Sequence, residues 1–253
     1  MYLYLYDADL KHKRHDGVMK AIETRLTDYD IAGKIIRLQQ FANAAEIVAE
    51  EVKRGVKTVV IVGNDATFGR VLSRAADIST TFGFLPVGSD NTIAPVLGIP
   101  VGVEACETLS RRRVVALDVG WCNNRYFVSR LKIPAGAISV TYDQNFTVAP
   151  RSGKMELIVC NAQPYHFARR GKEDMVVHPQ DGKLEAFLRP VATHWWGAER
   201  YEEPSIFPFT EMTVVGRKPF VVETDGAMSK ETSISIRLAK KKISLIVGKE
   251  RKF

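Results

Sequence analysis

No hydrophobic run in this chain approaches the roughly 18 to 20 residues that a bilayer-spanning helix needs. The opening residues, MYLYLYDADLKHKRH, hold a short apolar stretch with its charges after it. That order is the reverse of a secretory signal, so the stretch is expected to be a first strand. Cysteine is scarce: Cys106, Cys122 and Cys160 lie far apart and form no CxxC pair. A disulfide framework and a thiolate zinc site are thereby set aside, and a reducing cytoplasm is the expected compartment. The five histidines, His12, His15, His166, His178 and His194, show no HExxH or paired spacing and are expected to be structural or solvated. Neither GxxxxGK(S/T) nor GxGxxG occurs, which excludes a P-loop and the standard dinucleotide fingerprint.

What is present is a basic, globular composition. The chain has 253 residues, 45% of them hydrophobic and 26% charged, with a net charge of +7. That balance favours anionic partners: phosphate-bearing ligands, an acidic membrane face or nucleic acid. The basic clusters SRRRVV (110–115), FARRGKED (167–174) and RLAKKKISL (237–245) are short and not interleaved with aromatics. Nucleic acid is therefore not expected as a partner. AKKK (239–242) is expected in a turn, either as solvated charge or helping to hold anionic lipid headgroups. The adjacent Trp195 and Trp196 either fill core or anchor at a membrane interface.

The periodicity changes along the chain. YLYLY (2–6), KIIRL (34–38), KTVVIV (57–62) and FGFLPV (82–87) have the apolar runs of strands. Between them, Val18, Ile22 and Leu26 mark a helix over 16–28, and Ala44, Ile47, Val48 and Val52 mark another ending near Gly55. Phe68, Val71, Leu72, Ala75 and Ala76 form a third helical stripe, and 101–110 a further helix. Strand–helix alternation with doubly buried strands predicts a parallel, doubly wound α/β domain over 1–111. From about residue 112, ten short strand-like segments succeed one another, which predicts an all-β, sandwich-like domain over 112–253.

Two turns fall at the carboxyl ends of adjacent strands in the first domain: GNDAT (63–67) and PVGSDNTIA (86–94). Ligands of doubly wound sheets bind there. A turn opening a helix presents backbone N–H groups and the positive end of the helix dipole to an anion. Thr67, Ser89 and Thr92 add hydroxyls and Asn91 an amide. The plainer alternative is that Asp65 and Thr67 cap a helix and GSDN is an ordinary turn.

The order GNDAT, FLPVGSDNTIAPVLGIP, ALDVGWCNNRYFVS, HPQDGKLEAFL and VVETDGAMS resembles the catalytic domain of the diacylglycerol-kinase-like lipid kinases, with its GGDGT, PLGTxNDFA, DLG, DDGxL and DGE segments. The resemblance covers essentially the whole chain and implies an ATP- and Mg²⁺-dependent kinase that phosphorylates a lipid hydroxyl. It places the nucleotide loop on Gly63, Asn64, Asp65, Ala66 and Thr67, and a second phosphate-side loop on Gly88, Ser89 and Asn91. A structural Mg²⁺ would use the Asp181 side chain with carbonyls near His178 and Lys183. Asp225 would be the catalytic base. Implied partners are ATP and a lipid at a membrane surface, with the protein cytoplasmic and peripheral on the inner face. An edge strand of the β domain could pair two copies into a homodimer. Several positions depart from the pattern. Asn64 and Ala66 replace glycines, with a positive-φ cost of about 1 kcal/mol expected at Ala66. Thr92 replaces the NDFA aspartate, Ala227 the DGE glutamate, and Leu38 an early threonine. Asp118 and Asn124, in LDVGWCNN, are expected to hold a domain junction. Two alternatives follow: a catalytically impaired pseudokinase that binds nucleotide or lipid as a regulator, and an NAD-kinase-like enzyme.

Overall fold

The computed structural model describes residues 1–39, 43–142, 145–150, 153–167, 174–193 and 199–253. His194, the Trp195–Trp196 pair and most of the 167–174 cluster lie outside the described residues. In chain order the elements are β1 (Tyr2–Tyr6), α1 (Asp16–Asp28), β2 (Lys34–Arg37), α2 (Ala44–Lys53), β3 (Thr58–Gly63), α3 (Asp65–Ala75), β4 (Thr81–Pro86), α4 (Ile93–Val96), α5 (Ala105–Arg111) and β5 (Val114–Leu117). There follow β6 (Gly120–Cys122), β7 (Arg125–Phe127), β8 (Arg130–Gly136), β9 (Ile138–Tyr142), β10 (Phe146–Val148), β11 (Lys154–Cys160) and β12 (Leu184–Thr193). The last are β13 (Glu199–Tyr201), β14 (Ser205–Phe209), β15 (Glu211–Thr224), β16 (Ala227–Leu238) and β17 (Ile243–Ile246). No helix among the described residues is long and apolar enough to cross a membrane.

The chain divides into two compact units, 1–117 with 241–253, and 118–240. In the first, the sheet order is β2-β1-β3-β4-β17-β5. All neighbours are parallel except β17 and β5. Every residue of β3 is buried, as an unbroken β-branched run inside a covered parallel sheet should be. Helix α3 covers it with Phe68, Val71, Leu72, Ala75 and Ala76, all at most 3% exposed.

The boundary differs from the one expected at 111/112. Val114–Leu117 and Ile243–Ile246 have the local pattern of the β-rich half but complete the first sheet. The returning segment is held by backbone contact: Gly248 N donates to Leu97 O (2.9 Å) and Lys252 N to Val96 O (3.0 Å). A Cβ on Gly248 would lie 1.6 Å from Gly98 O, so only glycine allows the approach.

Among the described residues the second unit is one antiparallel sheet of eleven strands, with β13-β12-β11-β8-β15-β16-β6-β7 as its main path. Along one side of the long β15, residues 212–216 pair with β9 and residues 223–224 with β8. The ladder between β15 and β16 is broken between Val215 and Phe220. Apolar residues from β8, β9, β11, β12, β15 and β16 meet in one core, including Leu131, Val140, Leu157, Ala186, Val214 and Ile236. Strands that are not neighbours in the sheet thus share one core.

Candidate functional site

The first turn follows β3 directly. Gly63 is buried, and a Cβ there would stand 2.8 Å from Thr67 Oγ1 and 3.0 Å from Thr67 Cβ. The glycine is therefore required for the turn to close on α3. Asn64 is the N-cap of α3 with φ −107°, and its Oδ1 accepts from Thr67 N at 3.2 Å. Ala66 is exposed in the first helical turn. Neither Asn64 nor Ala66 has positive φ. The strain expected from losing two glycines is absent: one position is an extended N-cap and the other a helical residue, conformations open to any side chain.

Thr67 is 1% exposed, and its hydroxyl donates to Asp7 Oδ2 in a short contact. Arg70 Nη2 reaches the same oxygen at 3.0 Å. Asp7 went unnoticed in the sequence. Its signal was a carboxylate at the end of the YLYLY strand, where such sheets bind ligands.

Asp65 ties the two loops together. Its carboxylate accepts from Thr92 N (2.6 Å), Thr92 Oγ1 (2.7 Å) and Ile93 N (3.2 Å), while Asp65 N donates to Asp90 O (3.1 Å). Thr92, where the family pattern has an aspartate, thus supplies a hydroxyl donor to Asp65. Burial pushes the Asp65 carboxyl above the usual aspartate range, opposed by these bonds. At the start of α3, the Asp65, Thr67 and Phe68 N–H groups already have acceptors, whereas those of Asn64 and Ala66 have none among the described residues. The second loop is different. Gly88 (φ 90°), Ser89 and Asp90 (φ 62°) are exposed, and the N–H groups of 88–91 have no acceptor among the described residues. Asn91 Nδ2 holds the loop by donating to Gly88 O at 2.9 Å, and Ser89 Oγ donates to Asp90 Oδ2 at 3.0 Å. Successive free amides around positive-φ residues form an anion-binding concavity. The structure therefore sorts the sequence-predicted residues: 63–67 form a largely self-bonded frame, and 88–91 carry most of the available donors.

In the second unit, Asp225 and Gly226 form the two-residue turn between β15 and β16, with φ 45° and 85°. Asp225 Oδ2 accepts from Val128 N at 2.7 Å. Its Oδ1 accepts from Ser129 N (3.1 Å), Arg130 N (3.0 Å) and, in a short contact, Ser129 Oγ. Four donors match the acceptor capacity of a carboxylate. Burial pushes its pKa up and the four bonds push it down, with a net rise. Asp225 thus clamps the hairpin onto the segment between β7 and β8. Asn124 is a turn residue too, with φ 62° beside Asn123 at 45° in the β6–β7 hairpin.

His178, Asp181 and Lys183 come together in one turn. His178 O accepts from Gln180 N (2.8 Å) and Asp181 N (3.4 Å), and Asp181 Oδ1 accepts from Lys183 N (3.0 Å). Buried Asp118 anchors this turn, accepting from Gly182 N at 2.9 Å and donating its own N–H to Pro179 O at 2.7 Å. Asp181 Oδ2 has no donor among the described residues, and the available ligands are all oxygens, which suits a hard cation. Among the described residues no three His, Cys, Asp or Glu side chains gather as metal ligands, so a cation here would rest on one carboxylate and carbonyls. Glu185, four residues after Asp181, is 9% exposed, with Oε2 unpartnered among the described residues. Burial, with a smaller contribution from the Asp181 charge, pushes its pKa up to about 7.

Residues 5–122 match the Diacylglycerol kinase catalytic domain family. A diacylglycerol kinase of Bacillus subtilis (strain 168) is 29% identical over 91 residues, a match that covers 34% of this chain and only 30% of that protein. The crystal structure of a diacylglycerol kinase from Bacillus anthracis str. Sterne superposes with a TM-score of 0.76 at 17% identity, over 98% of this chain and 97% of that one. A second structure from the same organism gives 0.77 at 16% identity, with the same coverage. Residues 5–122 thus match the diacylglycerol kinase catalytic domain family, and nearly the whole length has the fold of the solved bacterial structures.

Proposed function

We propose that this protein is an ATP- and Mg²⁺-dependent lipid kinase that moves the γ-phosphate of ATP onto a lipid hydroxyl at a membrane surface. The observation that carries the reading is the pair of loops at the carboxyl ends of β3 and β4, with free N–H groups at Gly88, Ser89, Asp90 and Asn91. Both loops fall inside the matched family segment. In this reading the 88–91 amides and the Ala66 amide receive the phosphates, with the Ser89 hydroxyl beside them. Gly63, Asn64, Asp65 and Thr67 hold the two loops in register. Bound Mg²⁺ would supply charge neutralisation between phosphates, and the Asp181 carboxylate with carbonyls near His178 and Lys183 would hold a structural ion. Asp225 is the assigned base for the lipid hydroxyl, and it accepts that proton only when one of its four hydrogen bonds opens.

That last feature favours a second reading, a nucleotide- or lipid-binding regulator without transfer. Asp225 and Asp65 are both committed to protein donors. The two readings separate on incubating the protein with γ-labelled Mg·ATP and a mixed lipid extract in detergent micelles. Label in a chromatographed lipid supports the kinase. Bound ATP with no labelled lipid supports the regulator.

A further inference from the structure

Opposite the phosphate loops, at the amino ends of β3, β4 and β17, the first unit has a second cleft of about 760 Å³. Thr58, Thr81 and Ser244 stand side by side in register there, so the residues just before them mark one end of the sheet. Three separate segments bring four cations to that end: Lys57 before β3, Arg112 after α5, and Lys241 and Lys242 before β17. Asp77 is the only carboxylate among the lining residues.

Two of these cations are oriented by neutral groups. Arg112, in a left-handed conformation (φ 48°), donates from Nη1 to the hydroxyl of buried Thr58 at 2.6 Å. Lys241 Nζ donates to the Asp77 carbonyl at 3.1 Å. Lys57, Arg112 and Lys241 have no carboxylate partner among the described residues. Scattered surface lysines need no explanation, but like charges drawn from three segments into one concavity repel unless an anion joins them. Hydroxyls of Ser79 and Thr80 line the same space, and Val52 and Val56 form an apolar wall. Guanidinium, ammonium and hydroxyl donors around one hollow are the recognition set of a phosphate group.

We propose that this cleft is a second anion site, taking a phosphate-bearing ligand, either the headgroup of an acidic lipid or a soluble phosphate ester. Strand β3 has six residues, so the cleft lies about 17 Å along the strand from Gly63, beyond the screening length of about 8 Å at physiological salt. The two ends therefore act as independent sites, and the inference does not rest on the kinase reading.

The test compares the wild type with Lys57→Gln/Lys241→Gln/Lys242→Gln and with a control of equal charge change, Lys218→Gln/Lys230→Gln/Lys249→Gln. All six lysines are exposed, so both variants should fold. One arm is sedimentation with vesicles of phosphatidylcholine, with and without phosphatidylglycerol. The other is calorimetric titration with inorganic phosphate and glycerol 3-phosphate. The cleft variant should lose about a hundredfold in affinity, about fivefold for each lysine removed, while the control changes far less. Loss in the vesicle arm identifies a lipid headgroup, and loss in the titration arm a soluble ester. A wild type that binds neither probe, or two variants that behave alike in both arms, would overturn the proposal.

Discussion

Replacing Asp225 with asparagine separates a clamp from a base. Asparagine keeps the side-chain shape and tolerates the left-handed backbone (φ 45°), so the turn itself is not strained. Its one oxygen can take the place of Oδ1 towards Ser129 and Arg130, but its NH₂ then faces the Val128 N–H, which loses its acceptor. An unsatisfied buried donor costs about 1–3 kcal/mol, and the remaining bonds lose their charge assistance. Relief of a charge whose pKa is raised by burial returns part of that. The net expectation is a loss of about 2 kcal/mol, which lowers the urea midpoint by about 1 M at a slope of about 2 kcal/mol/M. Asp225→Ala should cost more, because all four donors are orphaned and alanine disfavours positive φ. Urea unfolding followed by circular dichroism measures both variants. An asparagine variant within about 0.5 kcal/mol of wild type, a change typical of neutral surface sites, would refute the clamp.

Other outcomes follow from the same geometry. Gly63→Ala should destabilise by about 1–3 kcal/mol through overpacking against Thr67, and thermal unfolding at an unchanged midpoint would contradict that. Ala66→Gly should cost about 0.5–1 kcal/mol as a helical glycine without tightening Mg·ATP, and calorimetry showing a tenfold gain would contradict it. Glu185 has its pKa raised from 4.5 to about 7, so the stability this group contributes is fully present below pH 4.5 and lost as pH rises through 7. Without divalent ions, the wild type should lose up to about 3 kcal/mol across that window relative to Glu185→Gln. Parallel pH–stability curves for the two proteins would remove Glu185 as the cause.

Local pattern carried the α/β unit because its signals are local. The stripe from Phe68 to Ala76 and the run Thr58–Gly63 each specify one buried face or strand, and each is buried as expected. The boundary was not legible, since KISLIVG has the same composition whether it pairs within a β domain or returns to β4 across more than half the chain. Both phosphate-side loops were visible at strand ends, but their division of labour was not. It depends on Asp65 reaching Thr92 and on which amides Asn64 already occupies. Asp225 had a motif position in the sequence. Its partners, Val128 to Arg130, lie about a hundred residues away, and only folding brings them together.

The most direct measurement is a titration of the ¹⁵N-labelled protein with Mg·ATP, read as backbone amide shifts. If the carboxyl-end loops hold the phosphates, Gly88, Ser89, Asp90, Asn91 and Ala66 should move most, with smaller changes at Asp65 and Thr67, whose amides already have acceptors. Saturable ATP binding that leaves residues 88–91 unmoved would place the nucleotide elsewhere and contradict the proposed site.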